Sequence, residues 1–136
     1  MIKAVIDTNV VLDALAAREP FRAEAEMLFM LAAEEKFQGC ITANSVTDIY
    51  YLVRKNASAA MAREAVRNLL QLFVVVDVSG KDCENALEST MDDYEDALVA
   101  ICAAKIGADC IITRDEVFLR AQSPVPVVAP ADFVQK

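Results

Sequence analysis

The sequence contains no histidine, and this absence excludes several reaction classes. Histidine is the usual general base near neutral pH and a common ligand for transition metals. A serine-type catalytic triad and most transition-metal sites are therefore excluded. Any catalysis must use carboxylates, hydroxyls, lysine or thiols.

Glycine, proline and cysteine are also scarce. Three glycines and four prolines in 136 residues, with 56% hydrophobic content, argue against disorder and predict a single domain over residues 1–136. The four cysteines show no C-x-x-C spacing, which argues against a zinc site or a disulfide framework. No apolar run reaches the roughly 20 residues of a membrane span, and the N-terminus lacks a signal-peptide pattern. We therefore expect a cytoplasmic protein without a membrane partner.

Basic residues are outnumbered by acidic ones. The chain has 13 Lys and Arg against 21 Asp and Glu, which gives a formal net charge of −8. Such a balance argues against nucleic-acid binding through a broad basic face. If the substrate is anionic, a cation must lie between it and these acids.

Short apolar runs alternate with helical patterns along the chain. Five runs read as buried strands: "KAVI", "FQGCIT", "LFVVVDV", "DCIIT" and "VPVVA". Buried strands separated by helices predict a parallel sheet of four or five strands in a three-layer α/β/α fold. The predicted helices are Asn9 to Ala17, Arg22 to Glu35, Ala43 to Lys55, Ala59 to Gln71, Lys81 to Thr90 and Tyr94 to Ile106.

Two of the predicted strands are followed by acidic residues. Asp7 comes directly after "KAVI", and Asp115 follows the fourth strand in "CIITRDEVF". In open parallel sheets, ligands bind at the carboxyl ends of the strands, near the position where the strand order reverses. We therefore expect Asp7 and Asp115 to meet at one edge of the sheet.

The predicted helices carry further acids toward the same edge. In "TANSVTDIYYLV", Asp48 lies beside an apolar face that includes Ile49, and we expect it to point near the core. The stretch "DDYEDALVAICAA" places four carboxylates in five residues at the start of a helix. Asp93 and Asp96 are three residues apart there and share a face.

A hard divalent cation would explain why these acids collect at one edge. A helix dipole stabilises a nearby acid by only about 0.3–1 kcal/mol, which is too little for several buried carboxylates. Mg²⁺ and Mn²⁺ accept ligand sets made only of oxygen, so they need no histidine. They also act as Lewis acids on phosphoryl oxygens. Hydrolysis of RNA or DNA is therefore the leading chemical hypothesis.

Helix capping offers an alternative explanation for the same acids. Aspartate is a favoured N-cap residue, so Asp7, either Asp92 or Asp93, and Asp115 could each cap the helix that follows. Ser45 and Asp48 also fit the S/T-x-x-D/E pattern of a capping box. Capping alone does not explain why these positions fall at one end of one sheet.

Four motifs in order along the chain resemble the PIN-domain family of metal-dependent ribonucleases, especially its bacterial toxin-like (VapC-type) members. They are "VIDTNVVLD", "ITANSVTD", "DYEDALVAICAA" and "ADCIITRDEVF". The resemblance implies an endoribonuclease that uses Mg²⁺ or Mn²⁺. It also implies RNA as substrate, a homodimer, and an antitoxin protein that occludes the acidic site. By this resemblance the catalytic acids are Asp7, Asp48, Asp96 and Asp115, and the metal ligands are Asp7, Asp96, Asp115 and the accessory Asp93.

Neighbouring polar residues suggest supporting roles. Residues beside the acids could orient a carboxylate or a bound water, and basic residues could contact the RNA backbone. Asp48 stands where the family often has glutamate, so its reach is one methylene shorter. The supporting candidates are Thr8, Asn9 and Thr113, and the RNA-contacting candidates are Arg54, Lys55 and Arg114.

Three other functions fit parts of the pattern. A receiver-like signalling domain would use Asp77, after "LFVVV", as its phosphoacceptor, but would need an acid pair after the first strand. A phosphatase with Asp7 as nucleophile would need a second acid where Asn9 stands. The strongest alternative that is not an enzyme is a PIN-like domain that binds RNA or protein without cleavage.

Overall fold

A computed structural model describes residues 1–135 of the chain. Its strands come from the apolar runs of the sequence, and all of them join one sheet in which every pairing is parallel. The strands are β1 (Lys3–Ile6), β2 (Gln38–Thr42), β3 (Val74–Val76), β4 (Cys110–Ile112) and β5 (Val127–Val128).

Helices connect the strands and cover both faces of the sheet, because each parallel crossover must return across a face. None of the helices within the described residues is long and apolar enough to cross a membrane. The helices are α1 (Thr8–Leu15), α2 (Arg22–Ala33), α3 (Ala43–Asn56), α4 (Ala59–Leu72), α5 (Gly80–Leu87), α6 (Tyr94–Lys105), α7 (Glu116–Arg120) and α8 (Pro130–Val134).

Alternating side chains of β1 divide the core into two layers. Ala4 and Ile6 belong to an apolar cluster that also contains buried residues of α1, α2, α3 and α4. Val5 points to the other face and joins a cluster formed with α5 and α6. The α/β/α fold with a five-stranded parallel sheet confirms the predicted fold class.

Several bounds of the predicted helices were wrong. The second predicted helix ends at Ala33 rather than Glu35, and the fifth ends at Leu87 rather than Thr90. The first helix ends at Leu15 rather than Ala17, since Ala17 adopts a positive φ of 52°, which interrupts a right-handed helix. The short helix α8 was not predicted, although Pro130 at its first position is a favoured start. None of these differences changes the positions of the acidic residues of the predicted site.

The strand order decides where the acids meet. The order β3-β2-β1-β4-β5 means that the chain moves outward from β1 to β3 and then returns to the other side of β1. The order therefore reverses between β1 and β4, where Ile6 pairs with Ile112. The amide of Asp7 donates to the carbonyl of Ile112 at 2.9 Å, which fixes the end of β1 beside the end of β4. A crevice forms at this position in open parallel sheets.

A buried ion pair connects α1 to the turn after β4. Asp13 is 1% exposed and accepts two hydrogen bonds from the Arg114 guanidinium, at 2.5 and 3.1 Å. The same guanidinium lies 4.0 Å from the centre of the Phe21 ring. This bidentate contact fixes the residue that precedes Asp115. Contact of Arg114 with RNA stays a prediction.

We expect Arg114→Ala to lower the free energy of unfolding by about 2–4 kcal/mol, because it leaves the buried Asp13 carboxylate without its bidentate partner. Urea unfolding at neutral pH would measure the loss. Arg120→Ala is the matched control, since its ion pair with Glu116 is exposed on both sides. This control should cost less than about 1 kcal/mol. Equal losses in the two variants would contradict the structural role of Arg114.

Candidate active site

A cleft of about 710 Å³ opens where the strand order reverses. Residues from the ends of β1 and β4 and from helices α1, α3 and α6 line it, because these elements all reach the carboxyl edge of the sheet. The structure thus brings every acid of the predicted site into one cleft, with a glutamate that was not predicted. The acidic lining residues are Asp7, Asp48, Asp93, Glu95, Asp96 and Asp115.

Asp7 is held by hydrogen bonds to both of its carboxylate oxygens. One oxygen accepts from the backbone amide of Thr8 at 2.9 Å, as an N-cap of α1, and the other accepts from the Thr113 hydroxyl at 2.8 Å. Burial raises the pKa of Asp7 above its usual value, the two hydrogen bonds oppose this shift, and the charges of Asp115 and Asp93 add to it. The carboxylate is therefore fixed in place but electrostatically strained.

Thr113 connects the two acids that follow strands. The Thr113 side chain is fully buried. Its hydroxyl accepts a hydrogen bond from the backbone amide of Asp115 at 3.1 Å and donates one to the carboxylate of Asp7. The Asn9 amide group donates to the same hydroxyl oxygen at 3.3 Å and to Asp7 at 3.4 Å. The side-chain carbonyl oxygen of Asn9 (Oδ1) is buried and accepts no hydrogen bond within residues 1–135. Thr113 and Asn9 thus both contact Asp7, and their supporting roles stay predictions.

Thr8 has a different contact from the one expected. Its hydroxyl lies 2.7 Å from the Ser45 hydroxyl, which in turn lies 3.0 Å from the Thr42 hydroxyl. This chain of hydroxyls joins the first turn of α1 to the first turn of α3 and places these helices beside each other at the cleft. The Thr8 side chain therefore positions a helix, and its backbone amide contacts the acid.

The capping-box explanation of Asp48 was wrong. Helix α3 begins at Ala43, with Thr42 at the N-cap position, so Ser45 lies inside the helix and bonds other hydroxyls. Asp48 is exposed, which also contradicts the expectation that it points near the core. Ile49 takes the buried position instead, and Asp48 lies on the flank that lines the cleft.

Asp96 is the most perturbed group of the site. It is 8% exposed, and its carboxylate accepts no hydrogen bond from any residue that the structure describes. Burial is the largest cause that raises its pKa to about 7, followed by the charges of Asp93, Asp7, Asp115 and Glu95. A carboxylate without a donor, on a largely buried residue and among other acids, is suited to bind a cation.

Two further acids each keep one oxygen uncommitted while they cap helices. Asp93 accepts from the amide of Asp96 at 3.0 Å, and Asp115 accepts from the amide of Val117 at 2.9 Å, in each case through one oxygen. Within the described chain, the second oxygen of each accepts no hydrogen bond. Capping and metal binding are therefore compatible roles for these aspartates.

Glu95 was not among the predicted site residues. It is exposed but lines the cleft, and burial together with the charges of Asp48, Asp7 and Asp93 raises its pKa. The crowding of four acids in five residues was the signal that could have identified it.

The donor set suits a magnesium-type ion with few protein ligands. Among residues 1–135, no three Asp, Glu or Cys side chains converge closely enough to hold one ion together. Mg²⁺ commonly binds through one or two carboxylates and keeps several waters, so a complete protein cage is unnecessary. The unpartnered Asp96 carboxylate and the ordered Asp7 carboxylate fit this mode.

Two cations also line the cleft. Lys55, which was predicted to contact RNA, is one, and Arg18, which was not predicted, is the other. Arg54 is exposed but does not belong to this lining. The cleft thus combines a strongly acidic group with a small basic group.

The raised pKa of Asp96 predicts how stability varies with pH in EDTA. Between about pH 4 and pH 7 the unfolded chain releases the Asp96 proton while the folded chain retains it, so stability falls as pH rises. We therefore expect Asp96→Asn to raise the melting temperature at about pH 7.5, with a gain that shrinks toward pH 4.5. Thermal unfolding followed by circular dichroism would test this. A variant less stable than wild type at neutral pH would contradict it.

Sequence comparison identifies the family. A family model described as the PIN domain matches residues 3–116, which is most of the chain. No curated protein matches the sequence significantly. The family model spans the acidic positions from Asp7 to Asp115.

Solved structures share the fold at low identity. VapC20 of Mycobacterium tuberculosis, described as a sarcin-ricin loop cleaving toxin, is 18% identical with a TM-score of 0.68, covering 85% of this chain and 92% of that one. DNA-bound VapBC of Salmonella typhimurium is 16% identical with a TM-score of 0.69, covering 96% and 99%. A toxin-antitoxin complex from Klebsiella pneumoniae is 21% identical with a TM-score of 0.66, covering 93% and 97%. The family match and this shared fold agree, and the chain belongs to the PIN-domain family.

Proposed function

We propose that residues 1–136 form one nuclease domain that hydrolyses RNA phosphodiester bonds with the help of Mg²⁺ or Mn²⁺. The carboxylate of Asp96, a largely buried residue that lines the cleft, carries this proposal. It accepts no hydrogen bond within the described residues and lies in a cleft with five other acids. A divalent cation would offset this repulsion and link an acidic protein to an anionic substrate.

Asp96 and Asp7 would hold the ion directly, and Asp93 and Asp115 would contact the waters bound to it. When bound, the ion supplies Lewis-acid stabilisation of a phosphoryl oxygen. Thr113 fixes the Asp7 carboxylate through the 2.8 Å hydrogen bond, so that one ligand is oriented before the ion arrives. The protein thereby limits the reorganisation that binding requires.

Asp48 has a separate role in this proposal. It is exposed on the flank of α3, faces the cleft, and is not held by a helix cap. A carboxylate in such a position can accept a proton from, and orient, the attacking water. We therefore assign to Asp48 the role of orienting the attacking water and accepting its proton.

We further propose that the protein is the toxin of a toxin-antitoxin pair. The support is that the similar structures from S. typhimurium and K. pneumoniae are a DNA-bound VapBC and a toxin-antitoxin complex. A basic side chain of an antitoxin would be attracted to the acids of the cleft. The homodimer and the cytoplasmic location stay predictions from the sequence.

The receiver and phosphatase alternatives lose support. The PIN-domain match covers both acids that follow strands. Asp77 is exposed at the end of β3, which is an edge strand of the sheet, and does not line the cleft. A nuclease has no need of Asp77, whereas a phosphoacceptor domain requires it.

We expect purified protein to cleave labelled RNA with Mg²⁺ or Mn²⁺ and to lose this cleavage in EDTA. Asp96→Asn should lower the cleavage rate by at least about 100-fold, because the variant removes a charged ligand from the cation. Gel analysis of a mixed set of labelled RNAs would measure both effects.

Asp77→Asn is the matched control for this experiment, since it removes one negative charge at the carboxyl edge of the sheet but outside the cleft. Its cleavage rate should equal that of wild type. If wild type and Asp96→Asn are equally inactive while both bind RNA, the domain is a binding module and the nuclease proposal fails.

A further inference from the structure

One face of α3 continues from the acidic site as an exposed stripe. Asp48, Tyr51, Leu52 and Lys55 follow the spacing i, i+3, i+4, i+7, so they lie on one side of the helix, and all four line the cleft. Tyr51 is 57% exposed and Leu52 is 37% exposed. The stripe begins at an acid of the proposed catalytic group and ends at a cation about two turns away.

The ring of Tyr51 is ordered by its neighbour. The Tyr50 and Tyr51 rings meet edge to face, with centroids 5.1 Å apart and planes at 87°. Such a contact restricts the orientation of an exposed ring without covering it. Tyr51 therefore presents a fixed aromatic surface inside a polar cleft.

Arg18 supplies a second cation, and its charge is not cancelled. The single charge of Asp13 is already matched by the bidentate Arg114 contact, and Arg18 approaches the same carboxylate only to 3.7 Å. Asp13, Arg18 and Arg114 together carry one net positive charge. Because Arg18 is 39% exposed and lines the cleft, this surplus charge is available to an anion there.

We propose that Tyr51, Lys55 and Arg18 form a subsite for single-stranded RNA, in which a base stacks on Tyr51 and adjoining phosphates contact the two cations. This inference rests on the proposed function, since it assigns binding residues for the substrate of that site. An unpaired base can stack on an exposed aromatic ring, whereas the interior bases of a duplex are already stacked on both faces. The two cations give the phosphates positive contacts within an acidic cleft, on a chain whose net charge is −8.

The chain contains no tryptophan, so Tyr51→Trp introduces the only indole and reports directly on stacking. The test uses this substitution in an Asp96→Asn background with Mg²⁺, titrated with a short single-stranded oligoribonucleotide and with its duplex. The single strand should quench the indole fluorescence and the duplex should not. Leu70→Trp in the same background is the control, since Leu70 is 51% exposed on α4 and outside the cleft. Its fluorescence should not change.

Affinity measurements on further variants in the same background separate stacking from charge. Tyr51→Ala should weaken single-strand binding about tenfold, while Tyr51→Phe, which keeps the ring, should bind like the parent. Arg18→Gln and Lys55→Gln should each weaken binding and lower the salt dependence by about one phosphate contact. Lys36→Gln is the charge-matched control, because Lys36 is exposed before β2, at the opposite edge of the sheet. It should bind like the parent.

The outcomes distinguish this inference from the nuclease proposal. If wild type cleaves RNA but the Tyr51, Arg18 and Lys55 variants bind as the parent does, the subsite is wrong and the nuclease stands. If the variants lose binding as expected but wild type cleaves nothing, the subsite stands and the nuclease is wrong. If no RNA binds, or if these variants alter only the binding of a protein partner, the subsite is wrong.

Discussion

Like-charged carboxylates are held together at the carboxyl edge of the sheet against their mutual repulsion, and the other features of the site depend on this constraint. Asp7 and Asp115 meet because β1 and β4 are hydrogen-bonded neighbours at the point where the strand order reverses. Asp96 joins them from α6, buried and without a hydrogen-bond donor within the described residues. Such crowding is unfavourable in a poorly solvated cleft, so packing elsewhere must maintain it. A bound cation would offset the electrostatic repulsion among these carboxylates.

The same aspartates contribute to local structure and to the proposed chemistry. Asp7, Asp93 and Asp115 each accept a hydrogen bond from a backbone amide at the start of a helix. Each cap uses one oxygen, and for Asp93 and Asp115 the other accepts no hydrogen bond in the part of the chain that the structure describes. The capping and metal-ligand hypotheses were posed as alternatives from the sequence, but the geometry makes them compatible. A cap also fixes the direction of the carboxylate. Less side-chain conformational entropy would therefore be lost when that carboxylate binds an ion.

Charge is distributed unevenly within the cleft. Most of the acids come from strand ends and from the start of α6, and Asp48 comes from α3, whereas the rest of the α3 stripe and the loop after α1 bring two cations and an aromatic ring. The helical period predicted that Ile49 is buried, and this was correct. The helical period could not show that Asp48 and Tyr51, on the adjoining flank of α3, face a cleft rather than open water. The cleft exists because α1 lies beside α3, to which it is joined through the hydroxyls of Thr8 and Ser45.

The sequence by itself determined the layered α/β/α fold and the position of Asp7 after a strand, because strand and helix patterns are local and apolar runs of β-branched residues are distinctive. Its acid motifs also indicated the family. Only the tertiary structure decided the strand order, the burial of Asp96 without a partner, and the pairing of Asp13 with Arg114 across 101 positions of the chain. An acid within an apolar helical stretch was the one local sign that Asp13 needs a cation. Which cation it finds, and which carboxylates share one cleft, follows from packing between distant segments, and local periodicity carries no information about such contacts.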